Sequence, residues 1–121
     1  MLSKYKKEFE KVVMGYLSYL PDFKNLNNLK EEMQLYNEQD NQFQVLLFRT
    51  GNQHTRGIIS LQEGPNCLVI RYVSLDPAFR NNETRQEMMI ELKQLYPKEN
   101  ITVFPSYTSL LPFLRRGSTI G

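Results

Sequence analysis

The sequence predicts an α/β (α+β) fold in which a mixed, mostly antiparallel sheet is flanked by helices. Three observations carry this prediction. Apolar residues recur with helical spacing between Phe9 and Tyr36, and three apolar runs that follow are joined by short polar turns. An apolar strand, Cys67 to Leu75, then runs through Asp76-Pro77 into an amphipathic helix and on to a further short apolar run. Short turns join antiparallel neighbours, whereas a helix between two strands returns the second parallel to the first.

In the first helix, Phe9, Val12, Val13, Tyr16, Leu17 and Leu20 form one stripe with i, i+3, i+4, i+7 spacing, and Pro21-Asp22 ends it. The spacing predicts a second helix from Leu26 to Tyr36, capped by Asn25, with Leu26, Leu29, Met33 and Tyr36 buried. The polar run Asn37 to Gln42 breaks that pattern. Phe43 to Arg49 is the first strand; it turns through Thr50-Gly51-Asn52 into Arg56 to Gln62, and Gly64-Pro65-Asn66 leads into Cys67 to Leu75. A helix from Thr84 to Tyr96 and a strand from Ile101 to Phe104 complete a β-α-β crossover, and a short helix follows from Thr108 to Leu114. Only Ser118 to Gly121 remains for any closing strands, so the fold is expected to be truncated at its C-terminus.

With 121 residues, the chain is expected to form one domain, residues 1–121, large enough to bury a core without disulfides or metal. One cysteine and one histidine supply neither an internal disulfide nor the usual ligands of a structural zinc site. The net charge of +2 is too balanced to imply a nucleic-acid partner. Lys4, Lys6, Lys7 and Lys11 fit the solvated face of the first helix, and Arg115 and Arg116 form a second small basic group. No apolar run approaches the roughly 20 residues of a membrane span, which sets the expectation of a cytoplasmic protein without a membrane partner.

The most informative segment joins the last long strand to its helix. The first N–H groups of a helix lack partners within it and carry partial positive charge, which suits an anionic ligand. The segment reads Leu75-Asp76-Pro77-Ala78-Phe79-Arg80-Asn81-Asn82-Glu83-Thr84-Arg85. It resembles the acetyl-CoA loop of the GNAT (GCN5-related N-acetyltransferase) superfamily, in which a hydrophobic-x-Pro-x-x-Arg segment precedes x-x-Gly-x-Gly or Ala. Arg80 matches a basic position of that pattern, whereas Glu83 and Arg85 stand where the small residues belong. The opening Tyr5 to Pro21, YKKEFEKVVMGYLSYLP, resembles more specifically the RibT-like proteins associated with riboflavin operons. That likeness extends through the Met88-Met89 helix and thins after Pro105.

The resemblance implies an N-acetyltransferase (acyltransferase) that uses acetyl-CoA to modify a small-molecule or protein amine. It implies that pantetheine pairs with the backbone of Val73, Ser74 and Leu75, and that Arg80, Asn81, Asn82, Glu83, Thr84 and Arg85 surround the pyrophosphate. Physically, Glu83 brings its own negative charge to the helix start and is expected to substitute for phosphate there. Thr84 with Glu87 reads as a capping box. Arg80 and Arg85 offset Glu83, because a guanidinium pairs with phosphate oxygens in a fork.

Acetyl transfer needs an unprotonated amine and an acid for the leaving thiolate. The resemblance aligns Phe113 with a tyrosine that often supplies the acid, and Ser106 with a frequent Asn. Phe113 cannot donate a proton, which leaves Tyr107 and Tyr72 as substitutes. Glu63 is the candidate base, while Asp76 fits a turn-stabilising role before Pro77. His54 reads as a surface residue of the hairpin and Cys67 as strand packing. The catalytic candidates are therefore Glu63 and Tyr107. Two readings stay open: an acetyl-CoA-dependent enzyme, or a GNAT-fold binding or scaffolding protein in which Glu83, Arg85 and Phe113 have removed the chemistry. A homodimer in which a second subunit completes the cleft is compatible with either, and no flavin fingerprint is present.

Overall fold

The computed structural model describes residues 1–38, 42–51 and 54–119. Asn52 of the expected hairpin turn, part of the polar run after Asn37, and the final Ile120-Gly121 lie outside these residues. In chain order the regular elements are β1 (Leu2–Lys4), α1 (Glu10–Leu17), α2 (Leu26–Asn37), β2 (Phe43–Arg49), β3 (Thr55–Gly64), β4 (Cys67–Leu75), α3 (Asn82–Leu95), β5 (Asn100–Val103) and α4 (Leu111–Thr119). 3-10 turns at Lys7–Phe9, Pro21–Phe23 and Pro77–Phe79, with a longer 3-10 stretch at Pro105–Leu110, connect them.

The five strands form one sheet in the order β1-β2-β3-β4-β5, antiparallel except for the parallel pair β4 and β5. Strand alternation sends Val45, Leu47 and Ile58 to a core with Val13, Leu17, Leu29 and Met33 of α1 and α2. Leu46, Phe48, Ile59 and Leu61 go to the other face, against Met88, Met89 and Leu92 of α3. Burying each of these last three side chains contributes about 1.5–3 kcal/mol, enough to fix α3 against the sheet.

Several boundaries differ from the sequence pattern. The stripe from Phe9 begins in a 3-10 turn, and Val12 is 38% exposed at its edge. Asn25 does cap α2, accepting from the amides of Asn27 and Asn28. Leu26, however, is exposed together with Asn27 and Asn28, and the buried face includes Glu32 beside Leu29, Met33 and Tyr36. At the C-terminal end, β5 stops at Val103, the segment from Pro105 begins as 3-10, and α4 carries through Ser118 and Thr119.

Two local features shape the end of β4. Ser60 and Leu61 of β3 pair with Tyr72 and Ile70, which makes Arg71 the extra residue of a β-bulge. As a result Ile70 and Val73 pack on the α3 side, and Tyr72 packs on the α1 and α2 side. Gly57 pairs with Leu75, and a Cβ on it would lie 2.6 Å from the Leu75 side chain and 2.7 Å from the Ser74 carbonyl oxygen. Backbone cannot rotate away, so Gly57→Ala is expected to cost about 1–3 kcal/mol and to displace the end of β4. An unchanged denaturation midpoint would contradict this close approach.

Candidate functional site

Beyond Ile70, β4 keeps β3 on one side and loses β5 on the other. The last ladder pair is Ile70 with Val103, followed by a 2.9 Å bond from the Phe104 amide to the Ile70 carbonyl. Pro105 then turns the chain away, since it has no N–H for the ladder. A cavity of about 340 Å³ opens at this divergence. Val73, Ser74 and Leu75 form one wall, Tyr107 and Ser106 another, and Arg80 and Arg85 stand on it from the α3 side.

The start of α3 is built differently from the capping box expected there. Asn81 is the cap: its side chain accepts from the Thr84 amide at 2.8 Å, and its carbonyl accepts from the Arg85 amide at 3.2 Å. Thr84 is buried inside the first turn and Glu87 lies exposed farther along, so they do not form the reciprocal pair. Asn and Thr are both capping residues, and the earlier of the two prevails because α3 begins at Asn82. Glu83 is exposed and takes none of these amides, so it does not substitute for phosphate. The amides of Asn82 and Glu83, at the first two helical positions, have no acceptor within the helix. Asn82, Glu83 and Arg85 instead line a neighbouring hollow of about 640 Å³ together with Phe113.

Arg80 reaches back over the cleft. Its Nε donates to the Leu75 carbonyl at 3.0 Å, and its guanidinium lies 4.9 Å from the centre of the Tyr19 ring. Asp76 performs the turn role read from the sequence, accepting from the Ala78 amide at 3.0 Å.

Tyr107 brings a hydroxyl to the cleft wall. The Val73 amide donates to its hydroxyl oxygen, leaving the hydroxyl proton available. Burial pushes the phenol up, the Val73 amide pulls it back, and the Asp22 carboxylate adds to the rise. The net effect keeps Tyr107 protonated at neutral pH. Asp22, on the 3-10 turn after α1, also accepts from the Tyr72 hydroxyl at 3.1 Å. Burial and that bond push the Tyr72 phenol up to about 12. The stabilisation linked to this shift is complete below the ordinary tyrosine value of about 10 and is lost as pH rises through about 12.

Glu63 does not join this group. It pairs with Leu68 at the opposite end of β3 from Gly57 and Leu75, roughly 20 Å along the strand, and accepts from Gln44 Nε2 at 2.7 Å. Cys67 lies at that same remote end, and His54 is exposed at the β2–β3 hairpin.

Sequence reasoning missed the buried ion pair behind the site. Arg71 Nη2 donates to Glu32 Oε1 at 3.0 Å, Tyr36 also donates to Glu32, and Arg71 Nη1 reaches Ser60 Oγ at 3.2 Å. Phe43, Tyr72 and Phe104 surround the guanidinium at 4.8, 5.2 and 5.9 Å. The signal was present: a glutamate on the apolar stripe of α2 and an arginine in the middle of an apolar strand. Among the described residues, no group of three His, Cys, Asp or Glu could hold a metal ion, and no helix is long and apolar enough to cross a membrane.

No family model matches the sequence. The chain is 30% identical over 101 residues to an uncharacterized N-acetyltransferase of Bacillus methanolicus encoded in the lysA 3' region, covering 84% of this chain and 83% of that protein. Solved structures share the fold at low identity. The Tetrahymena GCN5 structure matches with a TM-score of 0.70 at 9% identity, covering 94% of this chain and 77% of that one. Aminoglycoside antibiotic 6'-N-acetyltransferase AAC(6')-Ih from Acinetobacter baumannii gives a TM-score of 0.63 at 10% identity, covering 98% and 87%. A chimera of the Vibrio cholerae spermidine N-acetyltransferase SpeG gives 0.69 at 11% identity, covering 97% and 78%.

Proposed function

This chain belongs to the GNAT superfamily of N-acetyltransferases, and from that premise we propose that it is an acetyl-CoA-dependent N-acetyltransferase of the RibT-like type acting on an amine. The observation that carries the reading is the divergence of β4 from β5. It leaves the edge of Val73 to Leu75 facing a cleft that also holds two arginines and a protonated phenol. The Tyr5 to Pro21 segment supports the RibT-like type.

The residues present fit acetyl-CoA by their donors. The edge of β4 that β5 leaves, where the Val73 amide meets Tyr107 and the Leu75 carbonyl meets Arg80, offers its remaining main-chain groups to an extended amide-containing chain. Arg85 and the free amides of Asn82 and Glu83 suit a pyrophosphate, and Arg80 can release the Leu75 carbonyl and turn to the same anion. Acetyl-CoA supplies an activated thioester when bound. Tyr107 holds the proton that a departing thiolate needs, with its oxygen fixed by the Val73 amide. Asp22, whose charge raises that phenol, is the candidate carboxylate for an amine proton.

A calorimetric titration with acetyl-CoA tests the reading. Wild-type protein is expected to bind saturably, Arg85→Ala to weaken binding about tenfold, and Glu83→Gly to tighten it a few-fold by removing a repulsive charge. Absence of binding would favour the second reading, a GNAT-fold binding or scaffolding protein. The Arg80 bond on the Leu75 carbonyl is the observation on that side.

A further inference from the structure

A second cavity, of about 470 Å³, lies on the other face of the β4 edge. Phe23 and Tyr72 supply apolar walls, Asp22, Glu31 and Glu32 supply carboxylates, Asn28 supplies an amide, and none of its lining residues is basic. Glu32 is neutralised by its ion pair with Arg71, which leaves Asp22 and Glu31 as the effective charges. Lys24 donates through Nζ to the Ser18 carbonyl at 2.8 Å, and Lys30, next to Glu31 in sequence, lines a different hollow. Tyr72 lines this cavity and Val73 lines the first, adjacent residues of β4 whose side chains alternate to opposite faces of the sheet. Asp22 spans the two cavities, since it accepts from Tyr72 and acts electrostatically on Tyr107 in the first cavity.

We propose that this cavity binds the acceptor, and that the acceptor is an aliphatic amine carrying a second positive charge, in the simplest case a diamine. The proposal deepens the acetyltransferase reading and rests on it for the word acceptor. The reacting nitrogen lies by Asp22, on the Tyr107 side. The remote ammonium lies by exposed Glu31, and the carbon stem lies along the wall made by the edge-packed Phe23 and Tyr72 rings, whose faces also attract cations. A neutral alcohol of equal length would leave both carboxylates without a counter-charge, and an anionic acceptor would be repelled.

The test is binding in the absence of acetyl-CoA, followed by backbone amide shifts and calorimetry. Diaminobutane, butylamine and butanediol are the probes, with wild type, Asp22→Asn and Glu31→Gln as the proteins. Diaminobutane is expected to saturate, to shift Phe23 and Tyr72, and to bind more tightly than butylamine, with butanediol inactive. Glu31→Gln, an exposed change that spares the core, should weaken diaminobutane about fivefold and leave butylamine nearly unaffected. Equal binding of diaminobutane and butanediol, or diamine binding indifferent to both substitutions, would overturn the proposal. Acetyl-CoA is titrated into the same samples to separate the two claims. Diamine binding without acetyl-CoA binding supports the cationic site and removes acetyl transfer, whereas acetyl-CoA binding without diamine binding overturns this proposal alone.

Discussion

Replacing Tyr107 with phenylalanine is expected to lower kcat by about two to four orders of magnitude while changing the affinity for acetyl-CoA little. The hydroxyl is fixed from one side by the Val73 amide and raised by burial and by Asp22, so the wild-type group stays protonated where the reaction runs. Phenylalanine keeps the ring that packs against the α3-side core but cannot deliver a proton to sulfur. The Val73 amide also loses its acceptor, which costs about 1–3 kcal/mol of stability and is read separately by denaturation. In wild type, activity should fall at high pH as the phenol ionises, above the ordinary tyrosine value because its pKa is raised; the residual activity of the variant should lack that limb. A variant with near wild-type kcat would remove Tyr107 from the chemistry.

Glu32→Ala is expected to destabilise the fold by about 3–5 kcal/mol, a large share of the roughly 5–15 kcal/mol available to a domain. Glu32 is 5% exposed and Arg71 8% exposed, so the substitution leaves a guanidinium buried among three aromatic rings without its carboxylate. The Tyr36 hydroxyl would keep Ser60 as its partner. Replacing both charges with leucine should recover much of the loss, because removing a buried pair together avoids the unpaired charge. Denaturant midpoints of the two single variants and the double variant measure this. A loss of about 1 kcal/mol or less in Glu32→Ala would mean that the pair behaves as a solvated one. The pair also ties α2 to the bulge in β4, next to Tyr72 and Val73, so the fold's interior and the candidate site share a support.

Much of the fold was legible because its signals are local. The stripe around Val13 and Leu17, the Asn25 cap and the three hairpin-linked strands follow from periodicity and turn chemistry, and the bounds of β4 agree with the pattern residue for residue. β1 was not legible, since Leu2 to Lys4 is too short for a period and exists by pairing with Leu46, Leu47 and Phe48. The α3 cap was misplaced because Asn81 and Thr84 both have capping chemistry and only the helix start decides between them. The site divided along the same line. Val73, Leu75, Arg85 and Tyr107 do converge on one cleft, while Glu63 was placed by its position at a strand end, and sequence alone does not say which end of the sheet holds the cleft. The Arg80 contact with Leu75 and Tyr19, and the opposition of Glu32 to Arg71, depend on tertiary packing alone.

The central claim, that the β4 edge and the start of α3 form one acetyl-CoA site, is tested most directly by mapping backbone amide shifts during an acetyl-CoA titration. The account predicts saturable shifts at Val73, Leu75, Asn82, Glu83 and Arg85, with release of Arg80 from the Leu75 carbonyl and little change near Glu63. No saturable shifts at millimolar ligand, or shifts clustered at the Glu63 and Cys67 end of the sheet, would contradict it.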